Sequence, residues 1–251
     1  MNSRRPQPGH AAQGRPLRGL YLLTPDENDT ARLLERVRGV IASAALLQYR
    51  NKGAGDALRR KQAMALLPVC RESGVPLVVN DDWRLAAHVG ADGAHLGEDD
   101  GALREARQAM GSDAILGASC YDDIARAEAA TAAGASYLAF GAFFPSSTKP
   151  GARRAAPELL AASARFGLPR VAIGGITPDN APQLVAAGAD MVAVISGVFD
   201  APDPAAAARA YRACFAGDAH AQPGNPLHAT EGEPTAPPAA AQDDSGPKDR
   251  G

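Results

Sequence analysis

Residues 76–96 read PLVVNDDWRLAAHVGADGAHL. An apolar run ends in Asn80-Asp81-Asp82, a helix-forming stretch follows over 83–89, Gly90 stops it, and a second apolar run opens at Gly93. The strand-like runs are apolar on consecutive positions rather than alternate ones. That is the pattern of strands buried on both faces in a parallel sheet. The same unit recurs in both directions along the chain. Strands are predicted at 17–24, 44–50, 76–80, 93–96, 114–118, 137–140, 170–173 and 191–195, and helices near 30–41, 56–73, 83–89, 102–110, 122–133, 157–166, 178–187 and 204–215. Gly39, Gly74, Gly90, Gly111, Gly134, Gly167 and Gly188 follow the helices as C′ residues should. Thr177-Pro178 reads as an N-cap followed by an N1 proline. Eight β/α units predict an α/β fold, a single (β/α)8 TIM barrel, and the count favours it over an open doubly wound sheet.

Composition narrows the function classes. The 251 residues carry a formal net charge of −2, which gives no reason for a nucleic-acid or anionic-membrane partner. No apolar run approaches the roughly 20 residues of a membrane span. Arg4 and Arg5 are not followed by an apolar segment, so a secretory signal is not expected. Cys70, Cys120 and Cys214 are odd in number and widely spaced, which excludes a disulfide framework and a CxxC metal site. A reduced, cytoplasmic protein is expected. Residues 1–16 are rich in Arg and Pro, and 216–251 in Ala, Pro and acids, with Leu227 the only large aliphatic there. Such tails cannot offset their chain entropy by burial and are expected to be disordered, leaving 17–215 as the folded domain.

In a barrel, chemistry belongs to the C-terminal strand ends and the loops that follow them. The second strand ends in Gln48-Tyr49-Arg50-Asn51-Lys52, and alternation places Gln48, Arg50 and Lys52 on the face toward the mouth. The third ends in Asn80-Asp81-Asp82, the fourth runs into Gly97-Glu98-Asp99-Asp100, and the fifth into Ser119-Cys120-Tyr121. A long loop over 141–156 carries Ser146, Thr148 and Lys149 and reads as a lid. The last two strands end in Gly174-Gly175 and Ile195-Ser196-Gly197, small residues that let backbone N–H groups approach a phosphate.

Each feature also has a plainer reading. Arg50 and Lys52 could be solvated charges, the aspartates helix N-caps, and Gly174-Gly175 a tight turn. His95 reads as a packed histidine, Trp83 as packing the start of its helix, and Cys120 as a lining residue with no base to activate it. Their convergence on one barrel end favours a site. Two carboxylate loops beside three cations suit Mg²⁺ and a polyanionic ligand, whereas zinc finds only His88 and His95 in the folded unit.

Seven ordered motifs then carry a resemblance: Gln48-x-Arg50-x-Lys52, Val79-Asn80-Asp81, His95-Leu96-Gly97-x-x-Asp100, Gly117-x-Ser119, Pro145-Ser146-x-Thr148-Lys149, Gly174-Gly175-Ile176 and Ile195-Ser196. Over residues 19–215 the chain resembles the thiamine phosphate synthases. The resemblance implies a transferase that joins 4-amino-5-hydroxymethyl-2-methylpyrimidine diphosphate to a thiazole ethyl phosphate, or its carboxylated form, releasing diphosphate. It implies that Gln48, Arg50, Lys52, Asn80, Ser119 and Lys149 hold the pyrimidine diphosphate, with Lys149, Arg50 and Ser119 closest to the chemistry. Asp81 and Asp100 would bind Mg²⁺, and Ser146, Thr148, Gly175, Ile195 and Ser196 would hold the thiazole phosphate. Ser146 replaces a usual Thr, Glu98 a frequent Gln, and Cys120-Tyr121 a frequent Thr-His. The last departure speaks against the related thiazole tautomerases, which are expected to place a histidine there. A non-catalytic phosphate-binding barrel would have no need for both Asp loops and Lys149. Small molecules are the expected partners, and self-association into a homo-oligomer stays open.

Overall fold

A computed structural model describes residues 17–97, 103–145 and 154–216. Its strands are β1 (Gly19–Leu23), β2 (Ala44–Tyr49), β3 (Leu77–Asn80), β4 (Gly93–Leu96), β5 (Ile115–Tyr121), β6 (Tyr137–Gly141), β7 (Arg170–Ile173) and β8 (Met191–Val194). They pair in sequence order and in parallel, and β8 closes back on β1 with Tyr21 opposite Ala193. Closure settles the choice between barrel and open sheet. The helices are α1 (Thr30–Arg38), α2 (Asp56–Ser73), α3 (Trp83–Val89), α4 (Leu103–Met110), α5 (Ile124–Ala132), α6 (Glu158–Ala162), α7 (Ala181–Ala186), α8 (Ser196–Phe199) and α9 (Pro204–Ala213). Among the described residues no helix is long and apolar enough to cross a membrane.

Every residue of β1 is buried, which explains its unbroken apolar run. Leu20 and Leu22 point outward and pack with Leu33 and Val37 of α1. Tyr21 and Leu23 point inward, among Leu46, Val78, Val171 and Met191. Each fully buried aliphatic side chain contributes about 1.5–3 kcal/mol by leaving water. The core is thus double, one layer inside the barrel and one between barrel and helices.

The local signals act largely as expected. Asp29, Asp82, Asp123 and Asp203 cap α1, α3, α5 and α9 by accepting first-turn N–H groups. Gly74, Gly90, Gly111, Gly134, Gly167 and Gly188 all have positive φ. Gly39 differs, with φ −63. There the chain turns directly into a short 3-10 segment that buries Ile41, so no left-handed reversal is needed. Thr177 is not the N-cap expected: its Oγ1 accepts from Asn180 N at 3.3 Å within the preceding turn, and regular helix begins only at Ala181, with Asn180 as N-cap. Pro182 lacks the N–H that would bond back toward Pro178, which keeps 178–180 a turn. The helix expected over 157–166 divides into α6 and a 3-10 turn at Ser163–Phe166. The single-turn α8 was not foreseen. Residues 1–16 and 217–251, read from sequence as tails, lie outside the described residues.

Candidate active site

The C-terminal strand ends enclose a cavity of about 590 Å³. Gln48, Arg50 and Lys52 from the end of β2 line it together with Asn80, Asp81 and Ser119. From the opposite wall come Gly175, Ile195 and Ser196. All the predicted site residues that fall within the described segments therefore meet in one space. Asp100, Ser146, Thr148 and Lys149 lie outside the described residues, as do Glu98, Asp99 and half of the loop read as a lid.

The Arg50–Lys52 turn is braced from beneath. Asp26 accepts from Arg50 Nη1 at 3.1 Å and from Lys52 N at 2.9 Å. Thr24 Oγ1 donates to Arg50 O at 2.7 Å, while Asn51 and Gln62 donate to Glu27 O at 2.7 Å each. Gln48 is 2% exposed, and its Oε1 is buried without a hydrogen-bond partner. A buried amide oxygen left unpaired costs about 1–3 kcal/mol. Since Gln48 lines the cavity, a bound donor is the natural remedy.

Asp81 and Asp82 part company. Asp82 caps α3 through Leu85 N at 2.8 Å and pairs with Arg59 at 3.2 Å, so the plain reading holds for it. Asp81 does not cap α3. It adopts φ +58, a left-handed conformation that Asp tolerates better than most residues, and lines the cavity. Asn80 Nδ2 donates to its Oδ2 at 2.5 Å, and its N–H extends the β3–β4 ladder to His95 O at 2.8 Å. No group of three or more His, Cys, Asp or Glu gathers among the described residues. The oxygen donors present suit a hard cation held by one or two carboxylates plus ligand oxygens, which is how Mg²⁺ usually binds.

Gly174 and Gly175 have φ +102 and +61, and a Cβ at Gly175 would collide with Pro145 O. Glycine is required there both for the turn and for the close approach. Asn180 fastens this loop, donating to Gly175 O at 3.1 Å and accepting from Thr177 N at 2.8 Å. Ile195 precedes α8, whose first residue is Ser196.

Beside Ser119 the register of β5 against β6 shifts by one residue. Ser119 and Tyr121 both line the cavity, while Cys120 between them is fully buried with its Sγ toward Ala118 O. Burial pushes the Cys120 thiol up to about 12, so it is no nucleophile. His95 is buried, as expected, yet it also lines the cavity. Its Nε2 lies 2.9 Å from Ser119 Oγ and its Nδ1 2.9 Å from Tyr137 Oη. Tyr137 and Tyr21 were missed altogether. A tyrosine inside an apolar strand carries the same sequence signal as any other core residue.

A closed barrel with cations, a carboxylate and a glycine-lined wall at its C-terminal mouth defines a (β/α)8 protein built to receive anionic ligands. Residues 20–198 match a protein family described as Thiamine monophosphate synthase. The chain belongs to that family. It is 60% identical over 198 residues to the thiamine-phosphate synthase of Xanthomonas campestris pv. campestris strain 8004, covering 79% of this chain and 96% of that protein. It is 57% identical over 205 residues to the thiamine-phosphate synthase of Azoarcus sp. strain BH72, covering 81% and 100%. Among solved structures it is similar to a thiamine phosphate pyrophosphorylase from Pyrococcus furiosus, with a TM-score of 0.70, 32% identity, and coverage of 80% of this chain and 96% of that one. A 3-hexulose-6-phosphate synthase at 21% identity and a TM-score of 0.59, covering 78% and 99%, shares the barrel.

Proposed function

We propose that this transferase condenses 4-amino-5-hydroxymethyl-2-methylpyrimidine diphosphate with a thiazole ethyl phosphate, giving thiamine phosphate and diphosphate in the cytoplasm. The observation that carries the reading is the convergence of Gln48, Arg50, Asn80, Asp81, Ser119 and Gly175, from four strand ends, on one cavity of about 590 Å³. Gln48 supplies an unpaired buried acceptor for an amino group, and Arg50 and Lys52 supply positive charge for a diphosphate. Gly175, Ile195 and Ser196 offer backbone to the thiazole phosphate, with Ser146 and Thr148 joining them from the loop after β6. Asp81 and Asp100 would hold Mg²⁺, which when bound adds charge neutralisation at the diphosphate.

The bond from the pyrimidine methylene to diphosphate oxygen breaks first, and the electron pair leaves with the diphosphate. Arg50, Lys52 and Lys149 strengthen their hold as that charge develops. The ring amino group donates into the methylene cation, and the thiazole nitrogen then attacks it with a lone pair that needs no deprotonation. No general base is required, which fits a Cys120 thiol held neutral by burial. With the carboxylated thiazole, CO2 is also released.

The test is direct. Purified protein should release diphosphate from the pyrimidine substrate only when thiazole phosphate and Mg²⁺ are both present, with thiamine phosphate formed in equal amount. Release that ignores the thiazole, or a product of any other mass, overturns the assignment.

A further inference from the structure

Five polar side chains form a continuous line across the barrel interior beneath the cavity. Gln48 Nε2 donates to Tyr21 Oη at 2.5 Å, and Tyr21 Oη lies 2.7 Å from Tyr137 Oη. Tyr137 Oη lies 2.9 Å from His95 Nδ1, and His95 Nε2 lies 2.9 Å from Ser119 Oγ. The line runs through β2, β1, β6, β4 and β5. Its rings are locked: Tyr21 meets Tyr137 edge-on at 5.7 Å, and His95 stacks on Tyr137 at 5.6 Å. Tyr137 has room only because position 117 is glycine, where a Cβ would collide with its ring.

With the Gln48 amide nitrogen on Tyr21, one hydrogen-bond sense satisfies every group in the line. An amide nitrogen only donates, so Tyr21 Oη accepts from Gln48 and has one proton left to give. It gives that proton to Tyr137, which gives its own to His95 Nδ1. Burial raises both phenols well above their ordinary range, so each keeps the proton this sequence needs. His95 must then carry its proton on Nε2 and donate to Ser119 Oγ. The hydroxyl proton of Ser119 is left for the cavity that Ser119 lines, and Gln48, which lines the same cavity, keeps a buried Oε1 without a partner.

We propose that Tyr21, Tyr137 and His95 are positioning residues that fix the hydrogen-bonding sense of the site, so that Gln48 presents an acceptor and Ser119 a donor to the ring of the substrate. Reversing the line would require Gln48 to turn end for end, and both ends would change character together. A ring that offers an amino donor and an unprotonated nitrogen acceptor satisfies the observed sense. A ring carrying an oxo group and a ring N–H satisfies the reverse. The buried line therefore selects aminopyrimidine over oxopyrimidine, and it does so through residues that never touch the diphosphate. This selection rests on the function proposed above; the polarity of the line does not.

Two measurements test it. Long-range proton–nitrogen spectra of wild-type protein, with the His95 signal identified by its loss in His95→Asn, should show an Nε2–H ring. An Nδ1–H or doubly protonated ring overturns the proposal, whatever the enzyme catalyses. Calorimetry with 4-amino- and 4-oxo-5-hydroxymethyl-2-methylpyrimidine, both without diphosphate, should show the amino form preferred by about tenfold or more in wild type. Tyr21→Phe and Tyr137→Phe should shrink that preference several-fold while the KM for thiazole phosphate stays put. An unchanged preference in both variants overturns the proposal. Wild type that makes no thiamine phosphate sinks the functional reading instead, and the ring-proton spectrum still decides the polarity of the line.

Discussion

Replacing Asp81 by Asn and, separately, Asp82 by Ala should separate two roles that adjacent aspartates share in sequence. Asp82 accepts from Leu85 N at 2.8 Å, so Asp82→Ala removes a helix cap worth about 1 kcal/mol. In a domain of this size that lowers the melting temperature by about 2–4 °C. The Arg59 pair at 3.2 Å is partly exposed and adds little. Asp81 does not cap α3, and Asn tolerates its φ of +58 as well as Asp does. Asp81→Asn should therefore leave the melting temperature within a degree or so by the usual tolerance of surface substitutions. If Asp81 holds Mg²⁺ as proposed, the change removes one negative oxygen ligand, and the expected loss of about 100-fold in kcat/KM corresponds to ~2.7 kcal/mol of transition-state stabilisation. The assay is diphosphate release against Mg²⁺ concentration, with thermal melts in parallel. Asp81→Asn should need more Mg²⁺ and recover part of its rate when given it, whereas Asp82→Ala should follow the wild-type curve. If the Asp81→Asn curve superimposes on wild type, Asp81 is not a metal ligand and the Mg²⁺ assignment fails.

Further outcomes follow from the same site. Lys149→Ala should lower kcat more than it weakens thiazole binding, because charge on the departing diphosphate grows toward the transition state; steady-state kinetics with each substrate varied separate the two. Gly175→Ala forces a Cβ at φ +61 against Pro145 O and should raise the KM for thiazole phosphate, with a backbone cost of about 1–2 kcal/mol visible in the melt. Gly117→Ala must displace the Tyr137 ring and should destabilise by about 1–3 kcal/mol, read by denaturant unfolding. Removing residues 218–251 should leave turnover and melting temperature unchanged, since that stretch offers almost no large apolar side chains; a melting temperature several degrees lower refutes this.

The barrel was legible because strands buried on both faces write themselves as unbroken apolar runs, and glycines mark nearly every helix end. The cavity was legible for a related reason. Polar residues such as Gln48, Asn80 and Ser119 interrupt those runs at their C-terminal ends, where they line the cavity. The same double burial hid the rest. When both faces are apolar, alternation no longer tells inward from outward, so Tyr21 facing Tyr137 and Gln48 looks the same as Leu20 facing α1. The bulge at Cys120 was equally silent, since register against a neighbouring strand depends on partners far along the chain. Asp81 and Asp82 could not be separated until the backbone showed which one turns left-handed and which one caps α3.

Asp26 has a thermodynamic consequence for how the site meets an anion. Its carboxylate ties down both the guanidinium of Arg50 and the backbone of Lys52, and the Arg50 side chain is only 18% exposed. Freezing a long side chain on binding ordinarily costs about 0.5–1.5 kcal/mol of entropy. For Arg50 that ordering happens when the barrel folds, so a ligand encounters a guanidinium already immobilised at the rim. Cutting the tether with Asp26→Asn would leave the positive charge in place but set it moving. The resulting loss of affinity would register as a more unfavourable entropy of binding rather than as a missing contact.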